Sequence, residues 1–262
     1  MVWPNSIREI NSLPDHEKRL IYQTLLPEWL FTIYGMDRQK LTIDDQEVVN
    51  FRYPNGSRAL EISVRRNVHD IDPLLYLNMA DTFNHQLLVL LVVVNDLEMP
   101  RFNIDIDQQG NPTHLGTTGR NQEAELAAMK AGLAPGQIRA GLRSFKQAVP
   151  LFEDFVRKLG HDLFLIEPLA YHNAIIFERY GFSYLRGQQE MISIDRDFRP
   201  GGELHQKLSP DRAFRPLDAW KTIRGRAWAI HDGILGHPFT GFQMYKRIGI
   251  HAGVNTFQDA VW

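Results

Sequence analysis

The chain of 262 residues contains no cysteine. Disulfides, thiolate zinc sites, iron–sulfur clusters and a cysteine nucleophile are therefore excluded. There is no surplus of either charge: 29 Lys and Arg stand against 31 Asp and Glu, a formal net charge of −2. A global electrostatic footprint for nucleic acid is thus missing. There is no long apolar run. The longest, Leu87 to Val94 (LLVLLVVV), falls far short of the roughly 20 residues a membrane helix needs. The N-terminus, MVWPNSIREINSLPDHEKRL, lacks the basic, apolar and small-residue regions of a signal peptide. The expectation is a cytoplasmic protein with no membrane or nucleic-acid partner. A Gly-x-Ser-x-Gly elbow, a P-loop, a Gly-x-Gly-x-x-Gly turn and a His-Glu-x-x-His pair are missing too, so the chemistries they mark lack their usual signatures.

What is present is the material of a globular domain. Apolar residues make 44% and charged residues 23%, enough to bury a core and too apolar for a disordered chain. Residues 14–34 read as two short helices, DHEKRLIYQTLL with Asp15 as cap and PEWLFTIYG opened by Pro27 and ended by Gly35. Residues 47–53 and 59–65 read as strands, joined through Asn55-Gly56, a strong hairpin turn. The Asp72-Pro73 pair is an N-cap followed by proline, which predicts a helix within 69–83. Residues 87–94 predict a central strand buried on both faces. Residues 101–107 alternate as a strand, with Asp105 and Asp107 on one side.

A glycine-rich loop, 108–120, runs into a helix, EAELAAMKAGL. Helical stretches are expected at 137–148 and from Pro150 to Gly160. A buried strand follows at 162–167, a helix at 172–181 and a strand at 182–194 bent at Gly187. The proline- and glycine-broken segment 196–216 reads as a connector or wrapping arm. Trp220, Trp228 and Trp262 in the last stretch predict that the tail packs rather than wanders. The order of elements predicts a mixed α/β sheet, antiparallel first and parallel later. The expected layout is an N-terminal extension (1–58), a core (59–195) and a C-terminal arm (196–262) packed on the core or on a partner subunit, which leaves a homo-oligomer open.

The run Asn173-Ala174-Ile175-Ile176-Phe177-Glu178-Arg179-Tyr180-Gly181-Phe182, preceded by the apolar strand DLFLIE, resembles the late strand–helix–strand unit of the GCN5-related N-acetyltransferase family. LEISVRR and HDIDPLLYL are similar to that family's first strand and helix. The resemblance spans about residues 59–195. It implies an acyl-CoA N-acyltransferase-like fold, acetyl-CoA or another acyl-CoA as cofactor, and a small-molecule amine as acceptor. Asn173 would then belong to the cofactor site. The family's general-acid tyrosine falls on Phe177, which has no proton to give, so Tyr180 or Tyr184 would replace it. The family's pyrophosphate loop is not clean at Gln137–Leu142. Its alternative is Gly116-Thr117-Thr118-Gly119-Arg120, glycines and donors ahead of a helix N-terminus, a combination that binds phosphate; the bland alternative is a turn that caps the helix.

Two carboxylates are candidate bases. Glu167 ends an apolar strand, and open α/β sheets bind ligands at the carboxyl ends of their strands; burial there would raise its pKa. Asp105, paired with Asp107 on one strand face, is the other. A relative of the family that has lost catalysis and binds a ligand or a protein is the alternative function, since a fold does not guarantee an activity. A weaker alternative is a metal-dependent enzyme built on His205, His231, Asp232 and His237. The tail arginines 196, 199, 212, 215, 224 and 226 are expected to pair with local acids.

Overall fold

The computed structural model describes residues 3–113, 119–142 and 144–262. Three short helices come first: α1 (Ile7–Asn11), α2 (Asp15–Gln23) and α3 (Glu28–Thr32). Pro14, not Asp15, holds the N-cap position of α2, and Pro27 that of α3. A two-stranded ladder, β1 (Thr42–Ile43) with β2 (Gln46–Glu47), is followed by β3 (Val49–Arg52), β4 (Ala59–Val64), β5 (Leu75–Asp81) and β6 (Leu87–Val94). Next are α4 (Gln122–Lys130), α5 (Phe145–Lys158), β7 (Leu163–Ile166), α6 (Tyr171–Arg179), β8 (Ser183–Arg186) and α7 (Gln188–Phe198). The chain closes with α8 (Glu203–Gln206), α9 (Ile223–His231) and β9 (Gln243–Arg247).

Seven strands form one mixed sheet in the order β3-β4-β5-β6-β7-β9-β8. β3 to β6 are antiparallel neighbours, and β6 pairs with β7 in parallel. The expected mixed α/β sheet, antiparallel and then parallel, is what the chain forms. The hairpin at Asn55-Gly56 forms as well, with Gly56 at φ +65°.

The chain divides into two compact units. The first holds Met1–Leu97, Gly141–Glu167 and Tyr245–Ile250, and the second Glu98–Ala140, Pro168–Met244 and His251–Trp262. In the first, Leu60, Ile62, Leu77, Met79, Phe155 and Val156 are buried core residues. There Asp81 accepts the Ile7 and Arg8 N–H groups at 3.0 and 2.8 Å, satisfying orphan donors at the start of α1. In the second, Trp228, Phe198, Met191 and Ile223 are among the buried side chains, and the Trp228 indole donates to the Leu133 carbonyl at 2.8 Å. Trp220 is half-buried.

Six expectations are corrected. The helix within 69–83 is the strand β5: its burial alternates residue by residue, and that period outweighs the Asp72-Pro73 signal. Residues 101–107 are loop, with one isolated bridge from Ile106 to Pro112. The helix of 137–148 begins only at Phe145 and continues through Pro150 to Lys158 as α5, the proline standing inside the helix at the loss of one backbone bond. The strand of 182–194 stops at Arg186, and Gly187 at φ +95° starts the helix α7. The connector of 196–216 holds the end of α7 and all of α8. β6 is not buried on both faces either: Leu90 is exposed and five of its residues are half-buried.

Candidate functional site

In the first unit, β6 departs from regular pairing in its second half. Its pairing with β7 covers two positions, Leu88 with Leu165 and Val89 with Ile166. On the other side, the register with β5 shifts there: Met79 pairs with Val89 and Asn78 with Leu91, so Leu90 is a bulge. Bulges bend a strand and often end pairing beside sites. β6 then runs on to Val94 while β7 has ended. The Asn95 N–H donates to the Leu74 carbonyl at 3.0 Å, on the β5 side. Backbone groups alternate sides along a strand. The N–H and C=O groups of Val92 and Val94 therefore point to the opposite edge, past the end of β7.

Helix α5 starts beside this edge. A Cβ on Gly141 would stand 2.9 Å from the Val94 carbonyl oxygen, so glycine lets the chain pass close to β6 just before the helix. Ser144, the N-cap residue, is buried and makes no side-chain cap bond. The first turn of this 14-residue helix carries no acid and has Lys146 in it. Its amide dipoles and this cation both favour an anion. On one face of the sheet here, Leu75 opposes Val94 and Leu77 opposes Val92. With Leu25, Pro27 and Trp29 and with Ala148, Leu151 and Phe152 of α5 they line a small apolar crevice of about 20 Å³.

Glu167 follows Ile166 at the carboxyl end of β7, level with the bulge. It is exposed, so the burial expected of it is not met. Its position at the strand end is the one the sequence predicts.

The remaining candidates lie in the second unit. Asp105 is in the loop, where one carboxylate oxygen meets Arg101 at 2.7 Å and the other is buried without a partner. Asp107 caps its own turn by accepting from Gln109 and Asn111, and these bonds hold its carboxyl below the usual range. Tyr180 caps the end of α6. Tyr184 is buried and donates to Glu178 at 2.6 Å; burial and that carboxylate push its hydroxyl well up. Phe177 packs on Phe182, ring centroids 5.3 Å apart. Asn173 is half-buried in the first turn of α6. Gly116, Thr117 and Thr118 lie outside the described residues. Gly119 is described, and a Cβ there would meet nothing within 4 Å. Arg120 is engaged by carboxylates: Glu125 accepts from it at 2.8 and 2.5 Å and Asp232 at 3.1 Å.

That arginine belongs to a network the sequence reading missed. His231 lies 3.0 Å from the other oxygen of Glu125, and Arg215 donates to Asp232 at 2.6 Å. Burial pushes the Glu125 carboxyl up, but His231 and Arg120 outweigh it and hold it below its ordinary value. A second network centres on Arg226, fully buried, which donates to Asp195 at 2.7 Å and lies 3.5 Å over the Phe257 ring. Arg199 also meets Asp195, and Arg196 meets Asp197. Arg196, Arg199, Arg215 and Arg226 thus pair with acids as the composition predicts, while Arg224 donates to the Gly132 carbonyl. A third group is Glu178, which accepts from Tyr184 and from the Thr256 N–H and hydroxyl at 2.9 and 2.7 Å. Only the richness in arginine signalled any of these.

Among the described residues, no group of three or more His, Asp or Glu is arranged to hold a metal ion. His231 is occupied with Glu125, His205 stacks edge-on to Trp220, and His237 sits 4.0 Å from Glu190. No helix among the described residues is long and apolar enough to cross a membrane. Comparison with known protein families, with curated proteins and with solved structures finds no match.

Proposed function

We propose that the chain is a divergent acyltransferase that moves an acyl group from CoA to an amine, as the resemblance to the GCN5-related family implies. The observation that carries this reading is the stretch of β6 that runs on past the end of β7. The ladder stops after Val89 and Ile166, β6 bulges at Leu90, and α5 begins at the same end. The donor set fits a long anionic thioester. The start of α5, with Lys146 and no acid, suits the diphosphate. The edge of β6 beyond the end of β7 suits an extended pantetheine arm, whose amides can pair with that edge.

Bound acyl-CoA supplies an activated thioester. The N–H groups of Val92 and Val94 orient and polarise its carbonyl oxygen, where charge gathers as the amine attacks. Glu167, exposed at the end of β7, accepts the proton of the attacking amine through a water. With the Tyr184 hydroxyl tied to Glu178 and Phe177 unable to donate, solvent protonates the leaving thiolate.

The same two side chains favour the alternative of a ligand- or protein-binding relative without catalysis. One assay separates them. The chain has no thiol of its own, so a thiol reagent reports CoA release without background. Release that depends on both acyl-CoA and an amine supports transfer. CoA binding without release across a broad amine panel supports the binding role. No stabilisation by CoA or acetyl-CoA at millimolar concentration contradicts the acyltransferase reading and leaves the relative that binds another ligand or a protein; a ligand at 100 times its Kd should add about 2.7 kcal/mol.

A further inference from the structure

A pantetheine arm paired along the edge of β6 extends the sheet, so its thioester carbonyl is attacked from above or below the sheet. On the side of Val92 and Val94 the space is filled. Leu25, Pro27, Trp29 and α5 leave a crevice of about 20 Å³ there, room for a water and not for an amine with its carrier. The other side carries Val93 and Leu91 of β6, Tyr76 and Asn78 opposite them on β5, and Ser63 and Glu61 opposite those on β4. All six are half-buried, whereas Leu75, Leu77 and Met79 on the filled side are buried. That alternation marks an antiparallel sheet with one face on solvent. Glu167 belongs to the same side. Leu165 pairs with Leu88, and Leu88 with Ala80, which shares its face with Asn78. Glu167, held extended before Pro168, comes two residues after Leu165 and so returns to that face.

We propose that this half-open face is the acceptor site, and that the acceptor is a primary amine on a polyhydroxylated ring, the chemistry of an amino sugar. The inference rests on the acyl-CoA reading above. Neighbouring strands lie about 4.8 Å apart, which sets Tyr76 and Asn78 roughly 5 Å from Val93 and Leu91, and Ser63 roughly 10 Å. A ring whose amine sits over β6 at the thioester therefore lays its hydroxyls toward β5 and β4. There they meet a phenol, an amide and a hydroxyl, neutral groups that both donate and accept, as sugar hydroxyls do. The Tyr76 ring adds an apolar surface for the C–H face of the sugar. Glu61, the one acid of the six, is matched by Arg52 at 3.8 Å, so the platform has no net charge to select a polyamine. Glu167 stands on the same side, where it takes the amine's proton through a water.

The test reads CoA release by the full-length chain at saturating acetyl-CoA with three amines: glucosamine, cyclohexylamine and spermidine. The first two share a six-membered ring and differ in the hydroxyls. The KM for glucosamine should be at least about tenfold below that for cyclohexylamine, as two or more hydrogen bonds to the hydroxyls require. Tyr76→Phe and Asn78→Ala should each raise the KM for glucosamine about two- to tenfold, the effect of one lost hydrogen bond. Both should move the KM for cyclohexylamine far less. Tyr76→Phe keeps the ring in place; if Asn78→Ala folds poorly, Tyr76→Phe and the comparison of amines decide. Turnover of spermidine or cyclohexylamine with glucosamine unused would overturn the acceptor site and leave the acyltransferase reading standing. A glucosamine KM that neither variant moves would do the same. No release of CoA with these three or with a broad amine panel would remove the transfer reading, and the acceptor site with it.

Discussion

His172 is buried in the first turn of α6, and its Nδ1 has no hydrogen-bond partner. Burial holds its pKa down to about 4, and the nearby charge of His231 acts in the same direction. An unfolded histidine titrates near 6.5, so between these values the unfolded chain binds a proton that the folded chain does not, and stability rises with pH. At pH 5 the loss assigned to this residue is about 2 kcal/mol relative to pH 8. Urea denaturation at both pH values should show it, and His172→Phe should remove it; an unchanged pH dependence in the variant would contradict the assignment. Arg226 makes a sharper case. Its guanidinium is fully buried against Asp195 and Phe257. Arg226→Met should cost about 3 kcal/mol, because Asp195 is left buried with only the more exposed Arg199. Replacing Asp195 by Leu in the same chain should recover part of that loss, since the unpaired charge is what costs most.

At the scale of elements, Gly187 decides between strand and helix. It takes φ +95°, and a Cβ there would stand 2.3 Å from the Phe242 ring. Gly187→Ala should destabilise the fold by about 1–3 kcal/mol through backbone strain, and Phe242→Leu should relieve the steric part; a neutral Gly187→Ala would contradict the geometry. Asp81 tests the start of α1. Both its oxygens accept backbone N–H groups, so Asp81→Ala should cost about 0.5–2 kcal/mol in thermal or denaturant unfolding.

These elements also show what was readable. The apolar run of β6, the hairpin at Asn55-Gly56 and the strand before α6 were legible, because each is written in local pattern. β5 was not: a proline after an aspartate is a helix start in isolation, and here pairing with both β4 and β6 overrides it. The turn into α7 was read as a bend because periodicity cannot tell a short strand from the helix that follows it. The bulge at Leu90 leaves no mark in a run of Leu and Val, although it shapes the candidate site. The Arg120–Glu125–Asp232 and Arg226–Asp195 pairs were illegible for another reason. Glu125 and His231 are 106 positions apart, and Arg226 and Asp195 are 31 apart, so only the folded chain brings them together.

For the molecule as a whole, the polar networks with long reach and the start of α5 do different work. The networks of Glu125, Arg120 and Asp232 and of Arg226 and Asp195 are satisfied by protein groups. The end of β6 and the start of α5 leave backbone groups and a cation facing outward. The account places ligand binding at the second. Hydrogen exchange with and without CoA tests that most directly. The account predicts new protection in residues 90–95 and 144–148, with the amides of α9 unchanged. Exchange that CoA leaves unaltered there, or protection gathered at residues 119–125 instead, would contradict it.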